Sequence, residues 1–174
     1  MPPSPLIIIA DTNVLINFLN IERLDLIAGH SHDFVITDHV KGEITDFYAH
    51  QQNQMEQAIR DGTLTEQQLS TLAEMDLFGR LSKSGRLGHG ECSAISCAIH
   101  GEHKLAIDDK RATREALNIQ AELEILKTQD LIVSMIEESL LNLAEADAIK
   151  EIWETQHRFR LKIESFAELL SAQE

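Results

Sequence analysis

Five consecutive apolar residues, Leu6-Ile-Ile-Ile-Ala10, run without alternation into an acid, Asp11. A strand with one face in water alternates apolar and polar side chains. An unbroken β-branched run instead suits a strand covered on both faces, as inside a parallel sheet. The feature recurs where Leu105-Ala-Ile107 runs into Asp108-Asp109, and Phe34-Val-Ile-Thr37 is a further short strand. Between these runs the spacing turns helical. Val14, Leu15 and Phe18 share one face of residues 13–20, and Val40, Ile44, Phe47 and Tyr48 form the apolar face of residues 39–49, with Asp38 as a cap. Ala94, Ile95, Ala98 and Ile99 face inward in residues 91–99, with Gly101 as a stop; residues 110–118 read as a helix and 119–126 as a strand. Strand and helix alternating over residues 6–126 specify an α/β fold with a central parallel sheet flanked by helices.

Residues 51–64 are polar and have no clear period, whereas Thr65-Glu-Gln-Gln68 reads as a capping box opening a helix that carries Leu69, Leu72, Ala73 and Met75. Residues 80–90, rich in glycine, serine and basic side chains, read as a loop. The stretch of about 51–87 is therefore expected to be a helical insertion. From residue 128 the chain reads as a C-terminal helical extension: about 129–143, about 145–156, and a third helix to about 170. No Pro/Gly linker divides it, and 174 residues correspond to one domain, 1–174.

Charge narrows the function classes. With 29 Asp+Glu against 15 Lys+Arg, the net charge is −14, which argues against a protein that coats itself with polyanion. A local site stays open, because residues 80–114 hold seven Lys or Arg against four acids. Five of those cations, Lys83, Arg86, Lys110, Arg111 and Arg114, are candidates for contacting a phosphate backbone. Cys92 and Cys97, five positions apart in one helix, face different ways and cannot bridge. Two reduced cysteines and a start, Met1-Pro-Pro-Ser-Pro5, without a basic leader or membrane span lead us to expect a cytoplasmic protein.

The chemistry is expected where the buried strands end. In a parallel sheet all carboxyl ends share one edge, and ligands bind in the crevice there. Asp11 and the pair Asp108–Asp109 are thus brought to one rim, although an Asp after a strand is also an ordinary helix cap. Glu43 interrupts the apolar helix after the second strand, and Glu91 opens a helix from Gly88-His-Gly90. Acids converging from separate elements repel one another unless cations intervene. An all-oxygen set of this kind suits Mg²⁺ or Mn²⁺.

Four blocks, Ile9-Ala-Asp-Thr-Asn-Val-Leu-Ile-Asn17, Val35-Ile-Thr-Asp-His-Val-Lys-Gly-Glu-Ile44, Gly88-His-Gly-Glu-Cys-Ser-Ala-Ile95 and Leu105-Ala-Ile-Asp-Asp-Lys-Arg-Ala112, resemble in order and separation those of the PIN-domain (PilT N-terminus) family. The resemblance covers about residues 6–126 and implies a three-layer PIN-like fold. It also implies a metal-dependent ribonuclease, commonly the toxin of a VapC-type toxin–antitoxin pair. Carried over by position, the catalytic, metal-binding acids are Asp11, Glu43, Glu91 and one of Asp108 and Asp109, with the family pattern favouring Asp109. Thr12 and Asn13 take the positions that orient the first acid and its metal waters. The implied cofactor is Mg²⁺ or Mn²⁺, the implied substrate RNA, and the implied protein partners an antitoxin and a second copy of the chain. The long polar stretch 51–87 departs from the compact family pattern.

Other arrangements are weaker. His100-Gly-Glu-His103 has no further Cys or His beside it to complete a zinc set. His89 sits two residues from Glu91 in a loop. Ser93 and Ser96 lack a nucleophile elbow, and no glycine-rich phosphate loop is present. The apolar residues of the C-terminal helices, Trp153 and Phe166 among them, read as core, with a partner interface as the sharper alternative. The competing function is a non-catalytic α/β module for RNA or protein, either a degenerate PIN fold or a receiver-like domain.

Overall fold

Five parallel strands, β1 (Ile7–Ala10), β2 (Asp33–Thr37), β3 (Leu64–Gln67), β4 (Lys104–Ala106) and β5 (Ile125–Leu126), build one sheet in the order β3-β2-β1-β4-β5. The computed structural model describes residues 6–172. Ten helices accompany the strands among the described residues: α1 (Thr12–Asn20), α2 (Leu24–Gly29), α3 (Asp38–Phe47), α4 (Ala49–Arg60), α5 (Leu72–Lys83), α6 (His89–Gly101), α7 (Lys110–Ile119), α8 (Thr128–Glu137), α9 (Leu143–Gln156) and α10 (Ala167–Ser171). A receiver-like domain would have the order 2-1-3-4-5, so the observed order excludes that alternative.

Strand side chains alternate between faces, and here both faces are apolar. Ile8, Ala10, Phe34 and Ile36 pack with residues of α1, α3, α4, α8 and α9, while Ile9, Val35, Leu105 and Ile107 pack with residues of α5, α6 and α7. This double burial is why the central runs do not alternate.

Several local expectations are corrected. Residues 51–64 contain most of α4 and lead into β3, which pairs with β2 from Phe34↔Leu64 to Thr37↔Gln67. Thr65 to Gln68 therefore lie in or beside an edge strand. The capping box is six residues later: Thr71 Oγ1 accepts from the Glu74 amide at 3.1 Å, and the Glu74 carboxylate accepts in return from Thr71. The buried anchor Leu64 and the ladder to β2 outweigh the local cap signal. Helix α5 extends through Lys83, which shortens the expected loop to 84–88. Thr37, not Asp38, caps α3, its hydroxyl accepting from the Val40 amide at 3.2 Å. Helix α6 includes Gly101 and ends with Glu102 in the left-handed region, φ 56°. The expected strand over 119–126 shrinks to its last two residues because α7 continues to Ile119, and α2 was not anticipated.

The third C-terminal helix is also shorter than expected. Arg158 takes a left-handed φ of 55°, and residues 157–166 cross back as irregular chain. They deliver Phe166, fully buried, while the Asp147 carboxylate accepts from the Phe166 amide at 2.9 Å and the Ser165 hydroxyl at 2.7 Å. Trp153 is fully buried, donates from Nε1 to the Asn17 carbonyl at 2.8 Å and meets Phe18 edge-on. These aromatic residues belong to the chain's own core. No helix among the described residues is long and apolar enough to cross a membrane.

Candidate metal centre

The chain builds β2 and β3 on one side of β1 and β4 and β5 on the other. The crevice between the carboxyl ends of β1 and β4 is thus the switch point where α/β sheets bind ligands. Asp11 ends β1 there, its amide donating to the Ala106 carbonyl of β4 at 2.9 Å.

Asp11 is 1% exposed and occupies the N-cap position of α1, yet its side chain makes no capping hydrogen bond. Both carboxylate oxygens are buried without a hydrogen-bond partner among the described residues. Native structures rarely leave such a group unsatisfied. Burial, reinforced by the charges of Glu91 and Glu43, pushes this carboxyl up to about 7, with the Thr12 and Asn13 amides opposing.

Glu43 is held on both oxygens. Thr12 Oγ1 donates to Oε2 at 2.6 Å, and the Gly90 amide donates to Oε1 at 2.8 Å, so α1, α3 and α6 meet at one carboxylate. A Cβ on residue 90 would lie 2.5 Å from Glu43 Oε2, which explains glycine at this close approach. Glu91, in the first turn of α6, accepts from the Gly88 amide at 3.0 Å. Burial raises its pKa, the Gly88 amide lowers it, Asp109 and Glu43 raise it further, and Arg111 opposes.

Asp11, Thr12, Asn13, Glu43, Phe47, Tyr48, Gly88 and Glu91 line one open cavity of about 270 Å³. Three of the four expected acids therefore share a cavity. Asp109 is exposed outside that lining and caps α7, its Oδ1 accepting from the Ala112 amide at 2.8 Å, but its charge reaches Glu91. Asp108 turns elsewhere. Its oxygens accept from the Thr128 amide at 2.8 Å, the Thr128 hydroxyl at 2.6 Å and Asn17 Nδ2 at 3.4 Å, which ties the end of β4 to α8.

No three of these acids bring oxygens within 4.8 Å of one another; among the described residues the one set of three donor atoms that close is two imidazole nitrogens, of His30 and His32, and a Glu138 oxygen. Glu43 is held between Thr12 and Gly90. A spread carboxylate set suits an ion that keeps several of its waters, as Mg²⁺ does.

The Thr12 hydroxyl holds Glu43, the Thr12 and Asn13 amides bear on Asp11, and Asn13 lines the cavity. Phe47, counted on the apolar face of its helix, is 77% exposed at the cavity edge. Gly90 was missed as a positioning residue; its signal was a glycine directly before Glu91. Lys110, Arg111 and Arg114 stand exposed on α7, Lys83 ends α5, and Arg86 pairs with Glu115 at 3.2 Å. Ser93 and Ser96 are buried struts, bonded to Thr37 and Gly90 and to the Glu74 carbonyl.

Residues 7–174 match the family DUF3368, described as a PIN domain. A search of curated proteins gives no match. Among solved structures the chain is similar to a PilT N-terminus domain protein from the hyperthermophilic archaeon Sulfolobus solfataricus P2, with a TM-score of 0.53 and 16% identity over 76% of this chain and 95% of that one. It is also similar to VapBC2 from Rickettsia felis, a structure bound to a DNA fragment from the promoter, with a TM-score of 0.48 and 18% identity over 70% of this chain and 98% of that one. At 16% identity the likeness to the first of these is one of fold.

Proposed function

The chain belongs to the PIN-domain family, and from that premise we propose that it is a metal-dependent ribonuclease with Asp11, Glu43, Glu91 and Asp109 as its essential acids. The observation that carries this is Asp11: a buried carboxylate with neither oxygen partnered, facing two further acids across one cavity. The donor set fits Mg²⁺ or Mn²⁺, because it is all oxygen and carries an orphan that a cation would satisfy. Bound there, such an ion supplies a water of lowered pKa and neutralises charge building on phosphate oxygens.

The chain's own residues do the rest. Asp11 offers both oxygens. Glu43, fixed in place by Thr12 and Gly90, would hold the ion from a pre-oriented position. Glu91, half-buried with a raised pKa and one oxygen outside its capping bond, is placed to hold a water or take its proton. Asp109 closes the set from the β4 side, and Asp108 serves as a structural link. Arg111, whose charge reaches Glu91, would receive the phosphate backbone together with Arg114, Lys83, Arg86 and Lys110. The setting implied by family resemblance is a toxin–antitoxin pair, with an antitoxin and a second copy as partners.

The test is cleavage of a labelled single-stranded RNA. Activity should require Mg²⁺ or Mn²⁺, stop with EDTA, and fall by more than about a hundredfold in Asp11→Asn. Cleavage that survives both EDTA and the substitution overturns the assignment.

A further inference from the structure

We propose that His30, His32 and Glu138 form a second cation site, for a zinc-class divalent ion, separate from the carboxylate cavity. His30 follows α2, His32 directly precedes β2, and Glu138 follows α8. The cluster therefore sits where β2 begins, at the opposite edge of the sheet from Asp11. One ligand atom from each residue lies within 4.8 Å of the other two. Donors around tetrahedral zinc, bonded at roughly 2.0–2.1 Å, stand about 3.4 Å apart. His30 Nε2 and Glu138 Oε1 are 3.8 Å apart, so a shift of a few tenths of an ångström closes that edge.

The donor chemistry selects the ion. Two imidazoles and one carboxylate favour zinc, nickel or copper over magnesium, and three protein donors leave a position for water. The cluster also carries an unexplained group: His32 Nε2 is buried and makes no hydrogen bond. Its other nitrogen lies 3.0 Å from Ser31 Oγ, and that hydroxyl donates to Glu138 Oε1. The Ser31 amide donates to Glu138 Oε2 at 3.0 Å. Hydrogen bonds of this kind orient ligands from an outer shell. Lys104 is the nearby cation, and it is paired with Glu124 at 3.0 Å. Cavities of about 200 and 440 Å³, both bordered by His30 and His32, give the ion a way in.

Binding rearranges both ring nitrogens of His30, Nε2 giving up Ser134 and Nδ1 giving up the His32 amide. The His32 amide donates to His30 Nδ1 at 3.0 Å, while His30 Nε2 faces Ser134 Oγ at 2.9 Å, so the neutral ring carries its proton on Nε2. Ligation through Nε2 moves that proton to Nδ1 and releases the His32 amide. The bound ion then fastens the loop before β2 to the end of α8.

The experiment uses the full chain carrying Asp11→Asn, which disables the carboxylate cavity, stripped of metal and titrated with Zn²⁺ and Co²⁺. One equivalent of Zn²⁺ should bind and raise the melting temperature, and Co²⁺ should give a visible d–d spectrum of low coordination number. Mg²⁺ at the same concentrations should do neither. His32→Ala and Glu138→Gln, chosen because His30 is deeply packed, should each weaken Zn²⁺ binding by more than about tenfold. The His32 amide should exchange faster in the loaded protein. Absence of stoichiometric Zn²⁺ binding, or binding unchanged in both variants, overturns the proposal. Either result leaves the ribonuclease assignment untouched, because that activity is read on the wild-type chain with Mg²⁺.

Discussion

Asp11, buried without a side-chain hydrogen bond, opposes folding when ionised. Its folded pKa of about 7 lies above the ordinary 3.8, so the folded chain keeps a proton that the unfolded chain releases. Asp11's contribution to the stability of the metal-free protein therefore falls as pH rises from about 4 to about 7 and levels off above, by on the order of 4 kcal/mol. Asp11→Asn should raise the melting temperature at pH 8 in EDTA and change it far less at pH 4. Mg²⁺ should stabilise the wild type at pH 8 and leave the variant unmoved. Equal melting temperatures at pH 8 would show that ionised Asp11 carries no such cost.

On the proposed function, the adjacent acids Asp108 and Asp109 divide the work between structure and chemistry. Asp108→Ala should cost about 1–3 kcal/mol in urea denaturation, because Thr128 and Asn17 lose their acceptor. Asp109→Asn should leave stability nearly unchanged, since asparagine also caps a helix, while removing most RNA cleavage. The reverse pattern would exchange their roles. The sequence alone left this choice open, because both acids follow the same strand and only their contacts separate them.

At the scale of elements, local signals were legible where a single element satisfied them. The β1 and β4 runs, the helix after β2 and the helix opening at Glu91 follow from periodicity, because burial on the sheet dictates residue type directly. The edge of the sheet was not legible. Leu64 to Gln67 reads Leu-Thr-Glu-Gln, too polar for a strand by composition, and it pairs with β2 because α4 returns the chain there. Thr65 then imitates a cap, whereas the working box is Thr71–Glu74. Thr71→Ala should destabilise the protein by about 1 kcal/mol, and Thr65→Ala by much less. Thermal denaturation of the two variants decides between the boxes.

At the scale of the whole molecule, the C-terminal third is part of the core beneath the site. Trp153 reaches across α1 to the carbonyl of Asn17, whose side chain donates to Asp108 and Thr128. Trp153→Ala should cost about 3–5 kcal/mol in chemical denaturation. A variant as stable as wild type would mean that the C-terminal helices detach and belong to a partner-facing unit. That outcome would also divide the single domain proposed over residues 1–174.

By itself, the sequence determined the layered α/β architecture and the presence of acids at the carboxyl ends of its buried strands. Burial on both sheet faces and the shared edge of a parallel sheet write themselves directly into residue type. Only the tertiary structure decided which acids share a cavity, that Thr12 and Gly90 clamp Glu43, that Asp108 binds α8, and that His30 and His32 meet Glu138 over a hundred residues away. Those outcomes depend on distances between elements remote in the chain, set by crossover paths and side-chain packing rather than by any local pattern.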